Sequence, residues 1–227
     1  QNRRLHLCCI RDPVVLLDDL KDFHVNRVFV EGTLVAEEGK YLPEIKKCDI
    51  SSVKGSVIVK DFSKEKFKMN LKSNKVNVIK ILPGGVVTAK DTAEIELDAN
   101  GEFVRNPGVD LVKVAVVERH QGTGNVACGF LKGYGIKEGA VALSVAHDSH
   151  NIIVVGVNDE EMEFAVNSLI EQEGGIVLVK EGKVIESMPM PIAGLMSDQS
   201  GEWVDQKLTD IHEKAYEELG ICGDVEP

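Results

Sequence analysis

The sequence predicts an α+β (mixed α/β) fold, in which a small β-sandwich-like segment precedes a β-rich domain with a few flanking helices. Three observations support this prediction. Short apolar runs separated by turn residues fill residues 14–42, and four longer apolar runs follow between residues 111 and 157. Two later stretches repeat apolar residues at the three-to-four-residue spacing of an amphipathic helix. Strands followed by helices are typical of this fold class.

The segment 14–42 is predicted to be a compact β unit. Val14–Leu17 is an apolar run that ends at two aspartates, which indicates a buried strand. Val28–Val30 and Thr33–Val35 flank the dipeptide Glu31-Gly32, and this pattern predicts a hairpin.

Residues 43–75 are rich in lysine and only weakly patterned. The lysines alternate with acids, so we expect them to lie on a solvated face. The alternation of Glu94–Asp98 predicts a half-exposed strand. The other strands predicted before residue 90 are Val57–Val59, Val76–Ile81 and Val86–Thr88.

The remainder of the chain has the clearest pattern. Asn158 and Glu161 are placed to form a capping box at the start of a helix. Ile176–Val179 and Val184-Ile185 predict a second hairpin, Met188–Pro191 an extended segment outside any ladder, and the chain from about Glu202 a final helix. Four apolar strands are predicted before these elements, at Leu111–Val117, Val126–Leu131, Ala140–Ala146 and Ile152–Val157.

The composition narrows the class of partner. The formal net charge of −11 disfavours nucleic acid and anionic membrane surfaces, because both are negatively charged. The five cysteines form no CxxC pair, which favours reduced thiols over a disulfide framework. With no signal-peptide pattern and no long apolar stretch, we expect a cytoplasmic protein.

Two polar clusters interrupt the apolar strands. In the first, residues 118–125, Arg119 could pair with a carboxylate or stack on a flat ring, and the alternative is a glycine-rich turn that faces water. In the second, residues 147–151, two histidines and an aspartate could bind a metal or hydrogen-bond a nucleobase. The alternatives there are a hydrogen-bonded turn and structural histidines bonded to the backbone. Metal binding is the weaker possibility, because His147 and His150 point to opposite sides of an extended chain.

These clusters carry a family resemblance. The stretches 113–120, 122–125, 144–156 and 189–197 resemble the C-terminal domain of bacterial adenine deaminases, in the amidohydrolase superfamily. The resemblance implies that residues 43–227 are this C-terminal domain and that residues 14–42 are part of the small β domain of amidohydrolases. Residues 1–13 form an unmatched N-terminal segment.

The resemblance also implies a function. Members of the family hydrolyse adenine to hypoxanthine and ammonia in purine salvage, with a binuclear manganese or iron centre on a (β/α)₈ barrel. The chain lacks the His-x-His pair of that barrel, and its 227 residues leave no room for the barrel beside the elements already assigned. We therefore expect a C-terminal portion that is inactive alone and holds no metal. Its expected partners are the barrel domain, adenine in the complete enzyme, and further copies in a homo-oligomer.

The resemblance assigns no catalytic or metal-binding residue within this chain. We expect one polar site near the substrate pocket, formed by Arg119, His120, His147, Asp148, His150 and Asn151. Two other functions stay open. The chain could be a standalone purine- or metal-binding module, or a purely structural or dimerisation domain.

Overall fold

A computed structural model describes residues 13–84 and 87–222. The chain divides into two compact units, residues 1–49 and residues 50–227. The first contains a four-stranded antiparallel sheet, and the second contains an eight-stranded mixed sheet with two α-helices. The predicted mixed α/β class is confirmed. Within the described ranges, no helix has the length and apolar character needed to cross a membrane.

The first unit is a meander of four antiparallel strands. Val15, Val28, Ala36 and Tyr41 lie opposite one another across all four, and form an apolar row on one face. None of residues 13–49 is buried. The described part of this unit therefore has no buried core of its own. The strands are β1 (Val14–Leu17), β2 (Val25–Val30), β3 (Thr33–Glu37) and β4 (Lys40–Tyr41).

The second unit is built on an eight-stranded sheet. Its strands are β5 (Lys75–Ile81), β6 (Thr88–Glu94), β9 (Leu111–Val117), β10 (Val126–Lys132), β11 (Ala140–Leu143), β12 (Ile152–Gly156), β13 (Gly175–Lys180) and β14 (Lys183–Pro189). Across the sheet they follow the order β14-β13-β11-β12-β9-β10-β5-β6. All pairs are antiparallel except β10 with β5. A separate pair of short strands, β7 (Glu96–Leu97) and β8 (Phe103–Val104), packs against a buried cluster that includes Val78 and Phe130 of this sheet.

The two helices, α1 (Asp159–Glu171) and α2 (Gly201–Glu217), pack against opposite faces of this sheet. Successive strand residues point to opposite faces, so one strand contributes to both cores. In β11, Ala140 and Ala142 lie in the core that includes α1, whereas Val141 lies in the core that includes α2. Two 3₁₀ turns, Ser51–Val53 and Lys64–Phe67, precede β5.

The helix starts follow the predicted capping chemistry in part. The Asn158 side chain accepts the Glu161 N–H at 2.8 Å, which confirms the N-cap. In a complete capping box the Glu161 carboxylate would accept the Asn158 N–H. It accepts the Gly182 N–H instead, at 3.2 Å. The final helix begins after Ser200, whose hydroxyl accepts the Trp203 N–H at 3.3 Å.

Several details differ from the sequence predictions. Val57–Val59 is not a strand, although the Ile58 N–H donates to the Arg119 carbonyl at 2.8 Å. Met188 and Pro189 belong to β14, since Gly175 pairs with Pro189 at its end. Proline is tolerated at such an edge because β14 is the outermost strand. The predicted strand Glu94–Asp98 is divided between β6 and β7, and Val86 lies outside the described residues.

Candidate functional site

The two polar clusters meet at one end of the eight-stranded sheet. Strand β9 ends at Val117, which pairs with Ile152 at the start of β12. The loop that follows Val117 therefore lies beside the loop that precedes Ile152. The His120 Nε2 lies 2.9 Å from the Ser149 carbonyl oxygen. A carbonyl only accepts hydrogen bonds, so Nε2 must carry the hydrogen.

Arg119 connects these loops from inside the protein. Its side chain is 1% exposed, and its Nε donates to the His150 carbonyl at 2.5 Å. Both terminal nitrogens donate to the Ala193 carbonyl at 3.2 Å. Burial lowers the pKa of the Arg119 guanidinium below its ordinary value, yet an arginine remains a cation at neutral pH. Arg119 therefore ties the end of β9 to two other segments.

Ser144 and Gly194 join Arg119 in a buried polar cluster. We call these three residues, with the backbone groups that they contact, the buried polar hub. The Ser144 hydroxyl is fully buried, donates to the Gly194 carbonyl at 2.6 Å and accepts the Gly175 N–H at 2.8 Å. Gly194 has φ +69°, and a Cβ there would lie 2.7 Å from a terminal nitrogen of Arg119. The guanidinium thus packs directly on a backbone that only glycine leaves open.

Glu118 orders the first loop. Its carboxylate accepts N–H groups from His120 at 2.6 Å, Gln121 at 2.7 Å and Thr123 at 2.9 Å, and also the Thr123 hydroxyl at 2.9 Å. These donors, led by the Thr123 N–H, lower the pKa of Glu118 to about 2. The loop is therefore a pre-formed turn around an ionised carboxylate at neutral pH.

The second loop presents its polar side chains to solvent. The side chains of His147 and Asp148 are 84% and 86% exposed, and the Asp148 carboxylate pairs with His147 Nδ1. The His147 and His150 rings meet edge to face, with their centroids 5.8 Å apart. His150 is half-buried, and its Nδ1 is buried without a hydrogen-bond partner in the described part of the chain.

The six predicted site residues thus lie on adjacent loops, but with different exposures. His120, His147 and Asp148 are exposed, His150 and Asn151 are half-buried, and Arg119 is buried. The Asn151 side-chain oxygen accepts the Arg119 backbone N–H at 3.4 Å. Sequence reasoning missed Ser144 and Gly194. Ser144 continues the alternation Ala140, Ala142, Ser144, which would have placed it on the buried face.

These residues do not form a metal site. No group of three or more His, Cys, Asp or Glu side chains among residues 13–84 and 87–222 is placed to hold an ion. Asp148 is engaged by His147, and His150 turns Nδ1 into the protein.

Comparison with known proteins shows the family. Residues 85–227 match the adenine deaminase C-terminal domain. The chain belongs to this family. The match includes both loops of the site and the whole buried polar hub.

Adenine deaminases from several bacteria are similar to nearly the whole chain. Adenine deaminase 2 of Desulfotalea psychrophila is 61% identical over 218 residues, which cover 96% of this chain and 38% of that protein. Adenine deaminase of Ligilactobacillus salivarius is 43% identical over 217 residues, with the same coverage of each chain. That of Desulfatibacillum aliphaticivorans is 44% identical over 211 residues, 93% of this chain and 37% of its own. The chain thus spans less than two-fifths of the length of these curated relatives.

The Arg119 hub predicts an unequal effect of two arginine substitutions. Arg119→Met leaves the carbonyls of His150 and Ala193 without their donors in a buried place. We expect the free energy of unfolding to fall by about 3 kcal/mol, because each unpaired buried group costs roughly 1–3 kcal/mol. Urea unfolding measures this loss, and hydrogen exchange at the His150 amide reports the loop itself.

Arg105→Met is the matched control. Arg105 is only half-buried and donates to one carbonyl, that of Ile136, at 3.0 Å. We expect a loss of about 1 kcal/mol there. Equal losses in the two variants would show that Arg119 is not a hub.

The Glu118 carboxylate predicts a pH dependence confined to acid. Its pKa is lowered in the folded state, so its contribution to stability is complete above the ordinary value of 4.5. It is lost as the pH falls from 4.5 through about 2. NMR shifts of the His120, Gln121 and Thr123 amides should titrate with a midpoint near 2, and Glu118→Gln should abolish this titration. A midpoint near 4.5 in the native protein would contradict the carboxylate turn.

Proposed function

We propose that this chain acts as the accessory C-terminal portion of an adenine deaminase, and that it helps to form the substrate site while the chemistry resides elsewhere. The observation that carries the proposal is the pair of ordered polar loops at one end of the sheet. These loops lie within the region that belongs to the adenine deaminase C-terminal domain family. The proposed overall reaction is the hydrolysis of adenine to hypoxanthine and ammonia.

The first unit supports the idea that the chain works with further polypeptide. Its sheet carries the apolar row Val15, Val28, Ala36 and Tyr41, and none of its described residues is buried. Apolar side chains on such a sheet are stabilised only when another surface covers them. We infer that a catalytic barrel domain provides this cover, and that the manganese or iron of the assembled enzyme is bound there.

The chemistry of the second loop suits recognition of a base. Adenine presents ring nitrogens that accept hydrogen bonds and an amino group that donates them, so it is recognised by groups of both kinds. His147 and His150 supply imidazole nitrogens of either kind, and the Asp148 carboxylate supplies acceptors. The buried contact between Arg119 and the His150 carbonyl fixes the loop before a ligand arrives. Pre-organisation of this sort lowers the entropic cost of binding.

Reconstitution tests the proposal. The chain is mixed with the separately expressed portion of the Desulfotalea psychrophila adenine deaminase that it does not match, with Mn²⁺ and adenine. We expect His147→Ala and His150→Ala each to lower kcat/KM about tenfold, the effect of one lost hydrogen bond of roughly 1.4 kcal/mol. Hypoxanthine formation gives the rate, and a thermal melt confirms that each variant folds.

Ser149→Ala is the control in the same loop, because within residues 13–84 and 87–222 its exposed hydroxyl bonds only to the Asn151 N–H, at 3.4 Å. We expect its kcat/KM to stay within about twofold of the unmodified chain, well below the tenfold step of a lost 1.4 kcal/mol. Unchanged turnover in both histidine variants would remove the loop from the substrate site.

A further inference from the structure

One apolar row of the eight-stranded sheet lies outside both helix-covered cores. Leu143, Ile153, Val116 and Ala127 stand directly opposite one another on four neighbouring strands. We call this set the open row. Adjacent strands are about 4.8 Å apart, so the row extends over roughly 14 Å. It contains no charged or hydrogen-bonding side chain.

The open row faces away from α1. Residues that alternate with its members, including Ala142, Val154 and Val117, are buried in the core that contains helix α1. Strand periodicity places the open row on the other face. On that face, α2 covers the neighbouring row that contains Val141 and Val155.

The open row itself remains partly open. Leu143, Ile153 and Val116 are half-buried and Ala127 is exposed. None of the four belongs to the buried clusters or to the side chains packed against them within the described residues. Covering these partly exposed apolar side chains with another apolar surface would remove them from water and so stabilise the contact.

The open row adjoins the histidine loop along the chain. Leu143 ends β11, Ile153 lies near the start of β12, and the connection between these strands carries His147 and Asp148. Ser144 and Arg119 continue the alternation of the face that packs on α1, so the buried hub lies on the opposite side of the sheet from the row. The row is therefore next to the histidine loop but not to the hub.

We propose that the open row is the docking surface for the catalytic portion of adenine deaminase. This inference rests on the proposed function and identifies the surface through which it operates. The relatives indicate this partner. The chain matches only 38% of the Desulfotalea psychrophila protein, so most of that polypeptide lies outside the match and is available to cover the row. The partner surface is apolar at its centre, since a charge buried against the row would lose its hydration without gaining a counter-ion.

Calorimetry with the unmatched portion of the Desulfotalea psychrophila protein tests the docking surface. Ile153→Lys and Ala127→Glu place a charge in the row. Ala127 is exposed, so its substitution preserves the fold even where Ile153→Lys does not. We expect each folded variant to bind at least tenfold more weakly than the unmodified chain.

Val184→Lys is the matched control, since Val184 is a 44% exposed strand valine on the outermost strand β14, away from the row. Its affinity should match that of the unmodified chain. Equal affinity in the row variants and the unmodified chain would overturn the docking surface and leave the proposed function standing. If the row variants lose only self-association, as measured by sedimentation, the row binds a second copy of the chain. That result would also overturn the proposed docking surface. Failure of the unmodified chain to bind would overturn both proposals.

Discussion

The buried guanidinium of Arg119 is the constraint on which the functional end of the sheet depends. A cation without water must satisfy its donors within the protein, and Arg119 does so on the carbonyls of His150 and Ala193. Those carbonyls belong to segments far apart in sequence. The requirement of one side chain therefore fixes the position of the histidine loop relative to strand β9. The absence of a side chain at Gly194 is part of the same arrangement, because a Cβ there would collide with the guanidinium.

Much of the fold could be predicted from the sequence, because burial follows local periodicity. The apolar runs of β9 to β13 and the amphipathic repeats of α1 and α2 mark elements that the structure contains. The failures occurred where long-range pairing decides the outcome. Val57–Val59 has the composition of a strand, yet it makes a single backbone bond to Arg119. Strand β14 continues through Pro189 because an outermost strand needs backbone donors on one side only. The local sequence does not indicate that β14 is the outermost strand.

The candidate site was predictable as a set of residues but not as a geometry. The position of both polar clusters between apolar strands marks them in the sequence, and the pairing of Val117 with Ile152 brings them together. The burial of Arg119 follows the alternation Ala115, Val117, Arg119 beyond the end of the strand. Its partner at Ala193 lies 74 residues away. No local pattern indicates such a contact, which helps to position the loop that carries His147 and His150.

Deamination of adenine by the purified chain, with and without the catalytic portion of a relative, is the most direct test of where the chemistry resides. The chain is incubated with adenine and either Mn²⁺ or Fe²⁺, and hypoxanthine is followed over time. We predict no turnover above the uncatalysed rate with the chain alone, and turnover when the unmatched portion of the Desulfotalea psychrophila protein is added. Metal-dependent turnover by the chain alone would contradict the accessory role and place a catalytic centre among its own residues.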